Sequence, residues 1–142
     1  MRYLKIQTLE QGYYDRDAVL LHAAFQVLVD FIEKERPDKI IDWNDNQAHK
    51  QAWQEIRSLY EWWKNIRPTR RSPLDDKTLG HPPLKFKKLP ESDNREVVMP
   101  NKKKYARYYQ ALKEDCKLEM KWLEEDQRNL HRLIDIRLFL WT

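Results

Sequence analysis

The stretch NKKKYARYYQALKEDCKLEMKWLEEDQRNLHRLIDIR, residues 101–137, decides the fold. Within it Tyr105, Tyr109, Leu112, Cys116, Met120, Leu123, Gln127, Leu130 and Ile134 recur at spacings of three and four, which places them along one stripe of an α-helix. At 1.5 Å per residue, about 36 residues reach roughly 50 Å. That exceeds the diameter of a compact domain of this size, so the overhang needs cover from other helices or from another subunit. The stripe is expected to face inward, with Cys116 a buried structural thiol on it.

Two shorter helices lead up to it. Asp15 is placed to cap one running to Arg36, with Asp17 in the first turn, a broad apolar face through Leu20, Leu21, Phe25, Leu28 and Phe31, and Pro37 as the stop. The second runs over 47–66 with Trp53, Ile56, Leu59, Tyr60 and Trp63 inward, ended by Pro68. Trp62 and Trp63 diverge by about 100° on a helix, so one of them is expected to be less buried than the other. Residues 2–9 alternate in the manner of a short strand, with 39–43 and 137–141 as candidate partners in a small terminal sheet.

Between the second and third helices, residues 67–100 hold six of the seven prolines and no long period. A loop that long is expected to be functional, and its prolines favour a strap lying over the helices. It is also where the charge sits. Residues 67–104 carry eleven Lys and Arg against five Asp and Glu, a net of +6, while the whole chain is +4. Local basicity of this kind suggests an anionic partner for one region. The expected fold class is therefore mainly α, a single helical domain over 1–142 with one long C-terminal helix, a proline-rich basic strap and at most a small terminal β-sheet.

Several classes of chemistry are disfavoured. Only two glycines occur, Gly12 and Gly80, each isolated, so phosphate-cradling loops that need several are missing. One cysteine rules out a disulfide framework within the chain and points to a reducing compartment. No nucleophile motif or Cys/His metal spacing is present. Asp45 and His49 share a helix face but supply only two metal ligands, and His22 reads as a structural histidine. The start of the chain has no secretory pattern, and the longest mainly apolar run, 18–32, is too short and polar to cross a bilayer. Neither catalytic residues nor a cofactor are expected.

A binding site is better supported. Guanidinium forks hold phosphates and aromatic faces stack on bases. The residues with that chemistry are Trp62, Trp63, Arg67, Arg70 and Arg71, then Lys85, Phe86 and Lys87 in the strap, then Lys102, Lys103, Lys104 and Tyr105 at the entry to the long helix. This reading requires the positive charge to gather into a groove walled by aromatic rings. Farther along, Glu124, Arg128, His131 and Asp135 form a polar row, read as intrahelical ion pairs ahead of a proton-transfer site. The apolar residues 138–141 must dock or invite association.

The start MRYLKIQTLEQGYYDRDAVLLHAAFQVLVDF, the run YEWWKNIRPTRRSPLDD and the end EEDQRNLHRLIDIRLFLWT resemble small uncharacterised proteins encoded by tailed bacteriophages. The resemblance implies a setting, the cytoplasm of an infected bacterium or a virion, and no catalytic residues. On these grounds the expected function is non-enzymatic binding of an anionic ligand, a nucleotide signal or a nucleic acid, in an accessory protein that antagonises a host defence. The alternative is a protein-binding or virion-assembly role, with a host protein or further copies of the chain as partners. No membrane partner is expected, and a homo-oligomer is.

Overall fold

The computed structural model describes residues 3–141. It is mainly helical: α1 spans Arg16–Asp30, α2 is the single turn Pro37–Ile40, α3 spans Gln47–Glu61 and α4 spans Ala106–Asp135, thirty residues long. No helix among the described residues is long and apolar enough to cross a membrane. The chain divides into two compact units, Met1–Arg70 with Leu123–Thr142, and Arg71–Trp122. The helix α4 contributes its last residues to the first and its opening turns to the second.

The first unit holds the main core. Helix α1 is followed directly by a π-helical turn, Phe31–Glu35, and α3 by another, Trp62–Ile66, so both reach the lengths that their apolar runs call for. Arg36 then takes a left-handed conformation at φ 51° and Pro37 starts the next turn. At the head of α3 the Asn46 side chain accepts from the His49 N–H, filling one of the bonds a helix start leaves open. Asp15 precedes α1 in extended backbone but makes no side-chain cap bond. Phe25, Leu28, Ile56 and Leu59 are fully shielded, and Leu133 and Ile136 from the C-terminal stretch close over them.

Both tryptophans expected to diverge are buried, Trp62 at 6% exposure and Trp63 at 3%. The wide turn that carries them narrows the angular step between neighbours, and each packs on Phe25: Trp63 stacks at 4.5 Å and 10°, Trp62 tilts at 5.3 Å. The terminal sheet does not form among the described residues, and Arg2 lies outside them. Residues 3–10 run irregularly, with the Gln7 N–H donating to the Gln26 side chain at 2.9 Å, so α1 takes up a backbone bond that a strand would have used. Of the candidate partners, 37–40 are helical and Arg137–Phe139 forms a 3-10 turn.

The second unit is built from the strap and the opening turns of α4. Ser72 closes a capping box on the turn Pro73–Asp75 and donates to Asp115 on α4, while Tyr109 donates to the Pro100 carbonyl at 2.8 Å. His81 meets the edge of Tyr108 at 5.8 Å. The small sheet sits here: β1, Phe86–Lys88, pairs antiparallel with β2, Arg95–Val97, with Phe86 opposite Val97. Every residue of its two strands is exposed.

The largest correction concerns which face of α4 is covered. The buried positions are Ala111 and Asp115 in the second unit and Asn129 and Leu133 in the first. Each stands one residue before an expected stripe position, so the covered face is turned by about 100° from the apolar one. Cys116, Met120, Leu123 and Ile134 are exposed. The cause is polar. In the first unit α4 must present Glu125 and Asp126 to Trp62, Arg67 and Arg70, and in the second it must present Asp115 to Ser72. These partners lie on the face that ends up inside.

Candidate functional site

The residues singled out for ligand binding separate into three groups. The first is an aromatic and guanidinium stack in the first unit. The Arg67 guanidinium lies 4.9 Å from the Trp63 ring centre and the Arg70 guanidinium 5.8 Å from that of Trp62. Asp126 then takes both arginines: Arg67 Nε and Nη2 donate to its two oxygens at 3.0 Å each, and Arg70 Nη2 at 2.8 Å. Glu125 accepts from the Trp62 indole N–H and stands 3.6 Å from Arg70.

Burial acts most strongly on Asp126 and would raise its pKa, but the hydrogen bonds from Arg67 and Arg70 together hold it below the usual aspartate value. With both tryptophans buried and both arginines occupied by carboxylates, this group is a structural stack. It offers neither an open ring face nor a free fork, so the expectation of a base on Trp62 or Trp63 and phosphates on Arg67 and Arg70 is corrected here. His22 belongs to the same layer, its Nδ1 2.7 Å from Thr8 Oγ1 and its ring edge-on to Trp63 at 5.0 Å.

The second group is on the hairpin. Lys85, Phe86 and Lys87 are exposed, with Phe86 standing above the surface. Neither lysine makes an ion pair with a described residue. Arg71 begins the second unit and lines a separate hollow with Asp75, Asp76 and Arg107. Its neighbour Asp76 is held below the usual aspartate value by hydrogen bonds from the Thr78 side chain and backbone.

The third group is the entry to α4. Asn101 caps the turn ahead of the helix, its side chain accepting from the N–H groups of Lys103 and Lys104 at 3.0 Å each, so the three lysines stand in that turn rather than in the first turn of α4. Lys104 lies 5.4 Å from the Tyr105 ring centre. Lys102 lines a shallow groove of about 660 Å³ together with Lys113, Lys117, Tyr109, Leu112 and Cys116. Among the described residues none of these three lysines makes an ion pair.

Lys113, Lys117 and Tyr109 were missed as site residues in the sequence. The signal was there in the i, i+4 spacing of the lysines beside Leu112 and Cys116, but those two residues read as core. A larger hollow in the first unit, about 1080 Å³, is lined by Arg36 and Arg57 but also by Glu33, Asp38 and Glu61, so it has no one sign of charge.

Asp45 Oδ1 lies 2.6 Å from His49 Nδ1, and no three His, Cys, Asp or Glu gather as metal ligands among the described residues. The polar row on α4 does not form the expected intrahelical ion pairs: Glu124, Arg128 and Asp135 reach no opposite charge among the described residues, and His131 bonds to Gln127 at 3.1 Å. No protein family, curated protein or solved structure matches the chain.

Proposed function

We propose that the chain is a non-enzymatic binding protein whose second unit holds an anionic polymer, a nucleic-acid strand ahead of a free nucleotide. The observation that carries this is the groove at the start of α4, which Lys102, Lys113 and Lys117, without an ion pair among the described residues, line together with Tyr109, Leu112 and Cys116. Arg71–Trp122 contains thirteen Lys and Arg against eight Asp and Glu, net +5, whereas the rest of the chain has fourteen against fifteen, net −1. The anionic partner is therefore matched by one unit.

Lysines are point charges on flexible stems, suited to tracking a phosphate backbone without the fixed geometry that a bidentate arginine gives a single phosphate. A base laid on Tyr109 and Leu112 would add sequence-tolerant contact, as would one on Phe86. The setting we propose is the one implied by the sequence resemblance, an accessory protein of a tailed phage acting on host or phage nucleic acid, where occupying such a strand could also blunt a host defence.

Fluorescence anisotropy with a labelled single-stranded DNA, titrated at about 50 and about 200 mM salt, tests the proposal. Binding should weaken steeply with salt, and each lysine contact removed from Lys102, Lys113 and Lys117 by substitution with Ala should lower the logarithmic salt slope by about 0.7. Binding that is unchanged in the triple variant would remove the reading. Saturable binding of a mononucleotide in place of the strand would turn it toward a sequestered signal.

A further inference from the structure

The exposed face of α4 in the first unit has the form of half a coiled coil. Leu123, Gln127, Leu130 and Ile134 follow at four, three and four, the spacing of a heptad seam. Leu123 is 60% exposed and Ile134 52%. One flank of this seam, Asp126 and Leu133, is already occupied by the unit's own core and arginines. The other flank, Glu124 and His131, faces solvent together with Arg128 and Asp135. None of the three charged residues on that side is paired with a described residue, although Glu124 and Arg128 stand four apart on one helix.

We infer that this face is covered by a second copy of the chain, running antiparallel. The orientation follows from the flanks. A parallel pair sets the Glu124 and His131 flank of one helix against the Asp126 and Leu133 flank of the other, and that flank is closed. An antiparallel pair sets like flank against like flank. Centred between Gln127 and Leu130, it lays Leu123 on Ile134 and Gln127 on Leu130, each twice. It also brings Glu124 of one chain opposite His131 of the other at both ends.

The bonding is self-complementary. The Gln127 amide nitrogen donates to His131 Nε2, which leaves the ring proton on Nδ1, free to donate to the partner's Glu124. An isologous interface needs one surface that complements itself about a two-fold axis, and this segment does so in both apolar contacts and hydrogen bonds. The inference goes beyond the nucleic-acid reading and stands on a different unit.

Sedimentation equilibrium of the full chain, with far-UV circular dichroism as the control for folding, tests it. The unmodified protein should be dimeric, and Leu123→Glu or Ile134→Glu should give a folded monomer. Glu124→Arg alone sets Arg against His at both ends, His131→Glu alone sets Glu against Glu, and each should raise the dimer Kd about tenfold. An equimolar mixture of those two variants creates one Arg–Glu and one original Glu–His contact, and should recover a heterodimer of near-normal affinity. A monomer at about 100 μM, well above the range of a specific interface, would overturn the inference. So would failure of the mixture to recover association, or a dimer indifferent to Leu123→Glu and Ile134→Glu.

Discussion

The two units treat positive charge in opposite ways. In the first, the prominent cations are arginines closed by carboxylates: Arg67 and Arg70, each laid on a tryptophan ring, on Asp126, and Arg132 on Glu55 with paired contacts of 2.8 and 2.9 Å. In the second they are mostly lysines, and Lys85, Lys87, Lys102, Lys103, Lys113 and Lys117 reach no carboxylate among the described residues; two of the pairs there are long, Arg107 to Asp76 at 4.0 Å and Lys88 to Asp93 at 3.9 Å. A run of cations in a sequence therefore says little about available charge. What decides availability is whether a carboxylate from a distant stretch arrives on the same side. Residues 123–142 bring three acids to the arginines of the first unit within their opening four positions, Glu124, Glu125 and Asp126, and two of them are used.

The sharpest way to break that contrast is to remove one phenylalanine from each unit. Phe25 has no exposure and packs on both Trp62 and Trp63, whereas Phe86 is 54% exposed on the hairpin. Phe25→Ala should cost about 4 kcal/mol of unfolding free energy, through lost burial and an unfilled cavity. Phe86→Ala should change it by no more than about 0.5 kcal/mol, as for most surface positions. Urea melts followed by tryptophan fluorescence measure both. A large loss from Phe86→Ala would mean that the hairpin belongs to a core.

Next in size is the carboxylate that turns two arginines into structure. Asp126→Ala would leave the partly buried Arg67 and Arg70 without their shared counter-ion, and breaking a pair of this kind costs about 3 kcal/mol. Glu96→Ala, opposite Lys87 on the exposed hairpin, should be neutral in the same melt. If Asp126→Ala were equally mild, the arginines would be held by the rings alone and would again be candidates for an external anion.

Much of the fold was legible because helices announce themselves through period and punctuation. The apolar run from Leu20 to Ile32 with Pro37 behind it, and Asn46 ahead of the Trp53, Ile56 and Leu59 series, place α1 and α3 to within a residue or two. The face of α4 was not legible, and the reason is physical. A hydrophobic stripe is the best guide to burial only while apolar contact dominates. Here Asp115, Glu125 and Asp126 have partners in segments 43 to 63 residues away, and satisfying them turns the helix by a residue. No local pattern reports such pairings.

The candidate site suffered from the same gap. The arginine cluster in RPTRR and the lysines of NKKK looked equivalent, because their difference lies in Asp126, which is distant in sequence. The short strand expected near the start failed for a related reason: the Gln26 side chain supplies an acceptor for the Gln7 N–H that strand logic would assign to a second strand.

The last and smallest effect is a dependence on pH, and it distinguishes the two units without altering any apolar contact. His22 is held below the usual histidine pKa, first by burial and then by the charge of Arg67. A histidine whose folded pKa is depressed takes up a proton more readily when unfolded, so its contribution is intact above the unfolded value of about 6.5 and is lost as pH falls below it. Asp126 is also depressed, with the arginine hydrogen bonds overcoming burial, and Glu55 is lowered by its bond from Arg132. Their contributions are present above the unfolded carboxylate values of about 4 and fade as pH falls through the folded ones.

Stability of the first unit should therefore fall in two steps on acidification, a shallow one beginning near pH 6.5 and a steeper one below about pH 4. His22→Gln should erase the upper step and leave the lower, because an amide in that place still meets Thr8 Oγ1 but does not titrate. Melting temperatures taken at intervals from neutral pH downward on the two proteins supply the measurement. A surviving upper step in the variant would assign it to another group and release His22 from the arginine stack.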